Sequence, residues 1–222
     1  MTDKSEIGVI IVNYNGGDHL QRCLKSVFRS DVRLTVVVVD NGSRDGSFLA
    51  LQSLRPAEHE LLTISNAENL GFSRAVNIGL MQLETEYVML LNPDCEIHPH
   101  TLRKMVDTFN QIPKAGIVGS LVFNENGTEQ RGCRRREPTL LRSAITSLGL
   151  AGRFHGVDMT GEPLPTAPME VEAVSGSAMM IRRSIFLELD GLDEAYFLHC
   201  EDLDICHRVR DLGHEVIFEP RV

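Results

Sequence analysis

A chain of 222 residues, 42% hydrophobic and 24% charged, is long enough to bury one sizeable core and too short for two ordinary domains with a linker. Its formal net charge of −9 argues against nonspecific nucleic-acid binding, which needs a basic footprint. No apolar run approaches the roughly 20 residues of a membrane-spanning helix, and the polar start Met1–Glu6, leading straight into a strand-like run, argues against a signal peptide.

Ile7–Asn13 is a nearly continuous apolar run, as expected of a parallel strand covered on both faces. Gly16 and Gly17 break it, and Asp18 can cap a helix with apolar positions at Leu20, Leu24, Val27 and Phe28. Leu34–Val39 predicts a second buried strand, ended by Asp40-Asn41-Gly42-Ser43, with a helix from Asp45 to Leu54 after it. A short strand at Glu60–Ile64 precedes a helix over Ser73–Leu83. Tyr87–Leu91 reads as the fourth strand, ending at Asn92-Pro93-Asp94. A helix from His100 to Asn110 and a strand over Gly116–Phe123 follow.

The second half is less regular. Asn124–Pro168 is rich in Gly, Pro and Arg, and predicts a loop with a short amphipathic helix near Leu140–Leu150. That helix can cover the core or touch a membrane surface. Val171–Ile181 reads as a strand interrupted at Ser175-Gly176-Ser177. A helix over Asp202–Leu212 leads into a last strand, Glu215–Phe218. Alternating β and α elements with short connections predict an α/β fold, a doubly wound, mostly parallel sheet with helices on both faces. In such sheets ligands sit at the carboxyl ends of the strands, where Asn13-Tyr14-Asn15, Asp40 and Asn92-Pro93-Asp94 gather. Five scattered cysteines without a C-x-x-C pair point to reduced thiols in a cytoplasmic compartment.

Three acidic positions carry candidate chemistry. Asp40, at the end of its strand, can accept a hydrogen bond from a nucleobase N–H or simply cap the turn that follows. Asp94 projects past Pro93, where a hard carboxylate oxygen suits Mg²⁺ or Mn²⁺ bridging diphosphate oxygens; the plainer alternative is a solvated Asn-Pro turn. Glu201 and Asp202 open a helix, where the dipole favours ionised carboxylates. One of them can take the proton of an attacking hydroxyl, or both can form an ordinary acidic first turn. Asp204 and Arg208 have the spacing of a helical ion pair. The cluster Arg131, Arg134, Arg135 and Arg136 can hold acceptor phosphates or a lipid head group, or be a solvated loop. His199, Cys200, Cys206 and His207 have zinc-ligand chemistry, but adjacent residues rarely converge on one ion.

Five motifs together resemble family 2 glycosyltransferases: I-I-V-N-Y-N (10–15), V-V-D-N-G-S-x-D-G-S (38–47), N-L-G-F-S-R-A-V-N-I-G (69–79), L-L-N-P-D (90–94) and E-D-x-D-x-C-x-R-x-R-x-x-G (201–213). They span nearly the whole chain in the family's order, and N-P-D with G-x-R-R-R-E-P (132–138) is similar to its rhamnosyltransferase-like branch. The resemblance implies a Rossmann-like GT-A fold over 1–222, with 1–123 binding the nucleotide sugar and 124–222 supplying acceptor site and base. It implies an inverting transfer from a dTDP- or UDP-sugar, with L-rhamnose as the candidate sugar, to a saccharide or lipid-linked acceptor in cell-surface polysaccharide synthesis. The expected place is the cytoplasm at the inner face of a membrane.

Carried over position by position, Asn13, Tyr14, Asn15, Asp40, Asn41, Asn69, Gly71, Arg74, Asn92 and Asp94 would bind the nucleotide sugar. Asp94 would also hold the Mg²⁺ or Mn²⁺ ion. Asp202 would be the catalytic base with Glu201 beside it, and Gly176 and Arg135 would form the acceptor site. Family members usually continue past the last strand, often with a histidine ligand, whereas this sequence stops at Glu219-Pro220-Arg221-Val222. A shortened, inactive relative that binds nucleotide sugar or pairs with a partner is the alternative expectation. A nicotinamide-dependent oxidoreductase is disfavoured, because no G-x-G-x-x-G follows the first strand.

Overall fold

The computed structural model describes residues 6–54, 56, 58–139, 142 and 156–222. In chain order the elements are β1 (Ile7–Asn13), α1 (Gly17–Val27), β2 (Leu34–Asp40), a 3-10 turn (Leu49–Ser53), β3 (Glu60–Ser65), α2 (Phe72–Leu80), β4 (Tyr87–Leu91), α3 (Thr101–Gln111) and β5 (Ala115–Ser120). They continue with β6 (Arg134–Arg135), β7 (Met169–Val171), β8 (Ala173–Val174), β9 (Ala178–Arg182), α4 (Arg183–Glu188), α5 (Glu201–Asp211) and β10 (Glu215–Glu219).

Eight strands form one sheet in the order β3-β2-β1-β4-β9-β5-β10-β7, and β6 pairs with β8 in a small separate ladder. The block β3-β2-β1-β4 is parallel, as is the pair β5–β10, while β9 lies antiparallel between β4 and β5 and β7 antiparallel on β10. Every residue of β1, β2, β4 and β5 is buried, as expected of strands covered on both faces. Alternate residues go to opposite cores. Ile7, Val9 and Ile11 pack with Leu20 and Leu24 of α1 and Met105 and Phe109 of α3. Ile10 and Val12 pack with Ala75, Val76 and Leu80 of α2 and Ile205 and Val209 of α5. The sheet is thus mixed but mostly parallel, with helices on both faces.

Three local expectations are corrected. The helix expected over Asp45–Leu54 is only the 3-10 turn Leu49–Ser53. Asp45 accepts hydrogen bonds from the Ser47 N–H and hydroxyl, and Gly46 takes φ +81°, so a side-chain turn replaces the first helical turn. The strand expected over Val171–Ile181 is split into β7, β8 and β9. A Ser175–Ser177 turn, closed by the Ser177 N–H on the Ser175 hydroxyl (3.2 Å), separates the last two. Arg134–Arg135, expected in a loop, forms β6. The amphipathic helix expected near Leu140–Leu150 lies outside the described residues except Arg142.

Antiparallel β9 matters for function, because its first residue, Ala178, lies opposite Leu91 at the carboxyl end of β4. The turn before it, Ser175-Gly176-Ser177, is therefore delivered to the edge of the sheet where ligands collect.

Candidate functional site

The amide of Asn13 at the end of β1 donates to the Asp40 carboxylate at the end of β2 (2.8 Å) and faces the hydroxyls of Ser43 and Ser47. The second Asp40 oxygen accepts the Ser43 N–H (3.1 Å). Asp40 is 3% exposed, so in this conformation both of its oxygens serve the protein's own turn. Its buried neighbour Asn41 organises the next loop. Its Nδ2 donates to the Asn69 side chain (2.8 Å) and the Gly71 carbonyl (3.1 Å), and its oxygen accepts from Asn66 and Leu70. These bonds hold Asn69-Leu70-Gly71 against the ends of β1 and β2.

Above this network lies a cleft of about 420 Å³. Tyr14, Asn15, Asn41, Asn69, Gly71, Asn92 and Asp94 line it, along with Gly16 and His19 at the start of α1. Seven of the expected donor-site residues are thereby gathered in one place. Arg74 is not on its wall: this exposed side chain faces Glu194 (3.8 Å). Asn13 and Asp40 lie behind the wall rather than on it.

The opposite wall was not foreseen. Phe197 and Leu198 line the cleft, and Phe197 is 57% exposed. Gly71, at φ +89°, touches the Phe197 backbone; a Cβ there would lie 2.9 Å from its carbonyl oxygen. The Phe72 N–H donates to that same oxygen (2.7 Å). His199 and Cys200 follow with φ +71° and +69°, a left-handed pair that is uncommon for residues with side chains. The chain thus turns abruptly from the cleft wall into α5. Nothing in the local pattern of Phe197-Leu198 marks it in sequence; only the burial of Gly71 against it reveals the role.

Asp94 is exposed at the cleft, beyond a turn closed by the Cys95 N–H on the Asn92 carbonyl (3.1 Å). Among the described residues no group of three or more His, Cys, Asp or Glu converges to form a metal cage. A single exposed carboxylate fits a hard divalent ion that takes its other oxygens from a diphosphate and water, as Mg²⁺ characteristically does. The donor set therefore suits an ion arriving with its nucleotide.

The turn preceding β9 connects Asp94 to α5. The Asn92 N–H donates to the Ser177 carbonyl (2.9 Å), and the Gly176 N–H donates to Asp202 Oδ2 (3.1 Å). Arg135 Nη2 donates to the same Asp202 oxygen (2.5 Å) and to the Val174 carbonyl (2.9 Å). Asp202, Gly176 and Arg135 are thus in direct contact, on the edge that also carries Asn92 and Asp94. Glu201 is 8% exposed, and its Oε2 has no hydrogen-bond partner. Burial pushes its carboxyl above the usual range, and the neighbouring Asp202 charge adds to the effect. Asp204 and Arg208 pair along α5 as their spacing predicts (2.7 Å).

The remaining arginines do not form the cationic patch allowed for in the sequence. Arg134, 1% exposed, makes a two-pronged pair with Glu129, donates to the Glu162 and Pro163 carbonyls and lies over the Phe218 ring. Arg131 pairs with Asp158 and Arg136 with Glu162. In a chain this acidic, most of these cations are consumed by neighbouring carboxylates. Cys206 is buried, Cys200 is exposed and His207 faces Glu137 and Asp211, so the four zinc-type residues do not share a site.

Comparison with known proteins agrees with the fold. The family model described as Glycosyl transferase family 2 matches residues 8–189. The N-acetylglucosaminyl-diphospho-decaprenol L-rhamnosyltransferase of Mycobacterium tuberculosis is 30% identical, over 99% of this chain and 75% of its own length. Rhamnosyltransferase WbbL of Escherichia coli is 24% identical, over 96% of this chain and 80% of its own. Among solved structures, the mannosyltransferase PcManGT from Pyrobaculum calidifontis, in complex with GDP-Man and Mn²⁺, superposes with a TM-score of 0.70 at 19% identity over 99% of this chain. S. aureus TarS 1–349 gives 0.67 at 19% identity over 97%. The chain spans 56% and 60% of those two structures.

Proposed function

The chain belongs to glycosyl transferase family 2, in its rhamnosyltransferase-like branch, with the GT-A fold, and from that premise we propose that it is an inverting transferase acting on a dTDP- or UDP-sugar. L-Rhamnose is the proposed sugar, because the mycobacterial and E. coli relatives are rhamnosyltransferases. The proposed acceptor is a saccharide carried on a lipid diphosphate, as the mycobacterial relative's name specifies, which would bring the protein to the inner face of a membrane. Among the described residues no helix is long and apolar enough to cross one.

In the proposed mechanism the nucleotide lies in the cleft between Tyr14, Asn69 and Phe197, and its diphosphate points to Asp94. A Mg²⁺ or Mn²⁺ ion held by Asp94 would neutralise charge on the leaving diphosphate. Asp202 takes the proton of the acceptor hydroxyl as that oxygen attacks the anomeric carbon. The bond to the nucleoside diphosphate breaks on the opposite face, and configuration inverts. Gly176 and Arg135 hold Asp202 from behind.

One observation supports this reading: the Asn92–Ser177 and Gly176–Asp202 hydrogen bonds, which tie the Asn92–Asp94 turn and Asp202 to the same short segment, Gly176-Ser177. The test has two arms. Thermal shift with dTDP, UDP and NAD, with and without Mn²⁺, should show metal-enhanced stabilisation by dTDP or UDP alone. Transfer assays should show Asp202→Asn reducing turnover at least about 100-fold while that stabilisation persists. Full turnover in this variant would remove Asp202 from the mechanism.

A further inference from the structure

We propose that Arg135 is a positioning residue: it fixes the Asp202 carboxylate so that Oδ1 receives the acceptor proton, rather than gripping the acceptor itself. This rests on the reading of Asp202 as the base.

The argument is one of hydrogen-bond accounting. An ionised carboxylate offers about two lone-pair directions on each oxygen. Asp202 Oδ2 already accepts two donors, Arg135 Nη2 and the Gly176 N–H. Oδ1 accepts one, the Leu203 N–H (2.8 Å). One acceptor direction is left, and it is on Oδ1.

Arg135 is suited to hold rather than to reach. Its backbone is fixed in β6, opposite Ala173 of β8. A single nitrogen, Nη2, spans the Val174 carbonyl of that neighbouring strand and the Asp202 carboxylate on α5. Its side chain is 18% exposed, and its buried Nε has no hydrogen-bond partner, a cost that the charged pair at Nη2 must offset. The arginines on either side cannot substitute. Arg134 is committed to Glu129 and Arg136 to Glu162.

Lysine at 135 could supply charge and donors, but from a shorter, flexible stem rather than from a rigid planar group. A base displaced by about 1 Å can lose on the order of 100-fold in rate. The experiment compares wild type, Arg135→Gln, Arg135→Lys, Arg135→Ala and Asp202→Asn with dTDP-L-rhamnose and polyprenyl-diphosphate N-acetylglucosamine. We expect Arg135→Gln to lower kcat by about 10- to 100-fold with the acceptor KM within about twofold of wild type. Arg135→Lys should recover only part of the loss, and added guanidinium should restore activity to Arg135→Ala. An acceptor KM raised tenfold or more at unchanged kcat would overturn the proposal, since it would mean that Arg135 binds the acceptor. Unchanged kcat and KM would overturn it as well. Undiminished turnover in Asp202→Asn would instead remove the base assignment beneath it, a distinguishable failure. Should the Gln variant not fold, judged by loss of nucleotide-dependent thermal stabilisation, the Lys variant carries the same kcat and KM comparison.

Discussion

Glu201 keeps a nearly buried carboxylate with one oxygen unpartnered beside another acid, an arrangement that costs stability whenever it is charged. Its raised titration, driven first by burial, means that the native state holds the proton more tightly than the unfolded chain does. Stability is therefore lost as pH rises from the ordinary glutamate value, about 4.3, through the raised native one, and the cost is absent below that window. Glu201→Gln should raise the melting temperature above the window and leave it nearly unchanged below. Thermal melts of both proteins from pH 4 to 8 would show this as a difference that grows with pH, and a constant difference would contradict it. If Glu201 serves the base beside it, the stabilised variant should also transfer sugar more slowly, the usual trade at a functional position. Asp94 makes the opposite case, an exposed acid with little structural commitment. Asp94→Asn should leave the unfolding free energy of the free protein within about 0.5 kcal/mol of wild type. It should abolish the Mn²⁺-dependent part of stabilisation by dTDP or UDP, measured in the same thermal-shift format.

At the scale of elements, the loop Asn69-Leu70-Gly71 and the segment Phe197–Cys200 act as one unit, because the Phe72 N–H and the surface of Gly71 both meet Phe197. Gly71→Ala would put a methyl group against the Phe197 backbone at a positive φ. It should cost about 1–3 kcal/mol and weaken nucleotide binding together with turnover. Denaturant melts and nucleotide titrations check both. This contact also explains what sequence reading could and could not see. β1, β2 and β4 are legible because continuous apolar runs ending in polar residues have few other meanings in an alternating chain. Asn41, Asn69 and Gly71 are legible only through the family pattern, and in the structure they hydrogen-bond one another at the cleft wall. Phe197 was illegible, since an exposed aromatic on a loop carries no periodicity. β9 was placed, but its antiparallel direction was not, because an apolar strand has the same composition in either direction. The arginine cluster misled, because the acids that consume it (Glu129, Asp158 and Glu162) lie up to 27 residues away from the arginines they pair with.

Across the whole molecule, the two halves meet where β9 enters between β4 and β5, and the base depends on packing deep in the second half. Gly119 in β5 lies beneath Val174 of β8; a Cβ at 119 would come within 2.4 Å of the Val174 Cβ and 2.6 Å of a methyl group. Val174 is fully buried, and its carbonyl is one of the two acceptors that hold Arg135. Gly119→Ala should therefore act twice. Overpacking should cost about 1–3 kcal/mol, and the displaced Val174 carbonyl should pull Arg135 off Asp202, lowering kcat. Nucleotide-dependent stabilisation should remain, because the donor cleft is built mainly from the ends of β1, β2 and β4 and the loop after β3. Adding Val174→Gly removes the Cβ that lies 2.4 Å away as well as both methyls, so the double variant should regain stability and turnover beyond the sum of the single effects, the non-additivity expected of residues in contact. A double-mutant cycle in melting temperature and in kcat measures this. Additive effects in both would mean that the base is held independently of this packing.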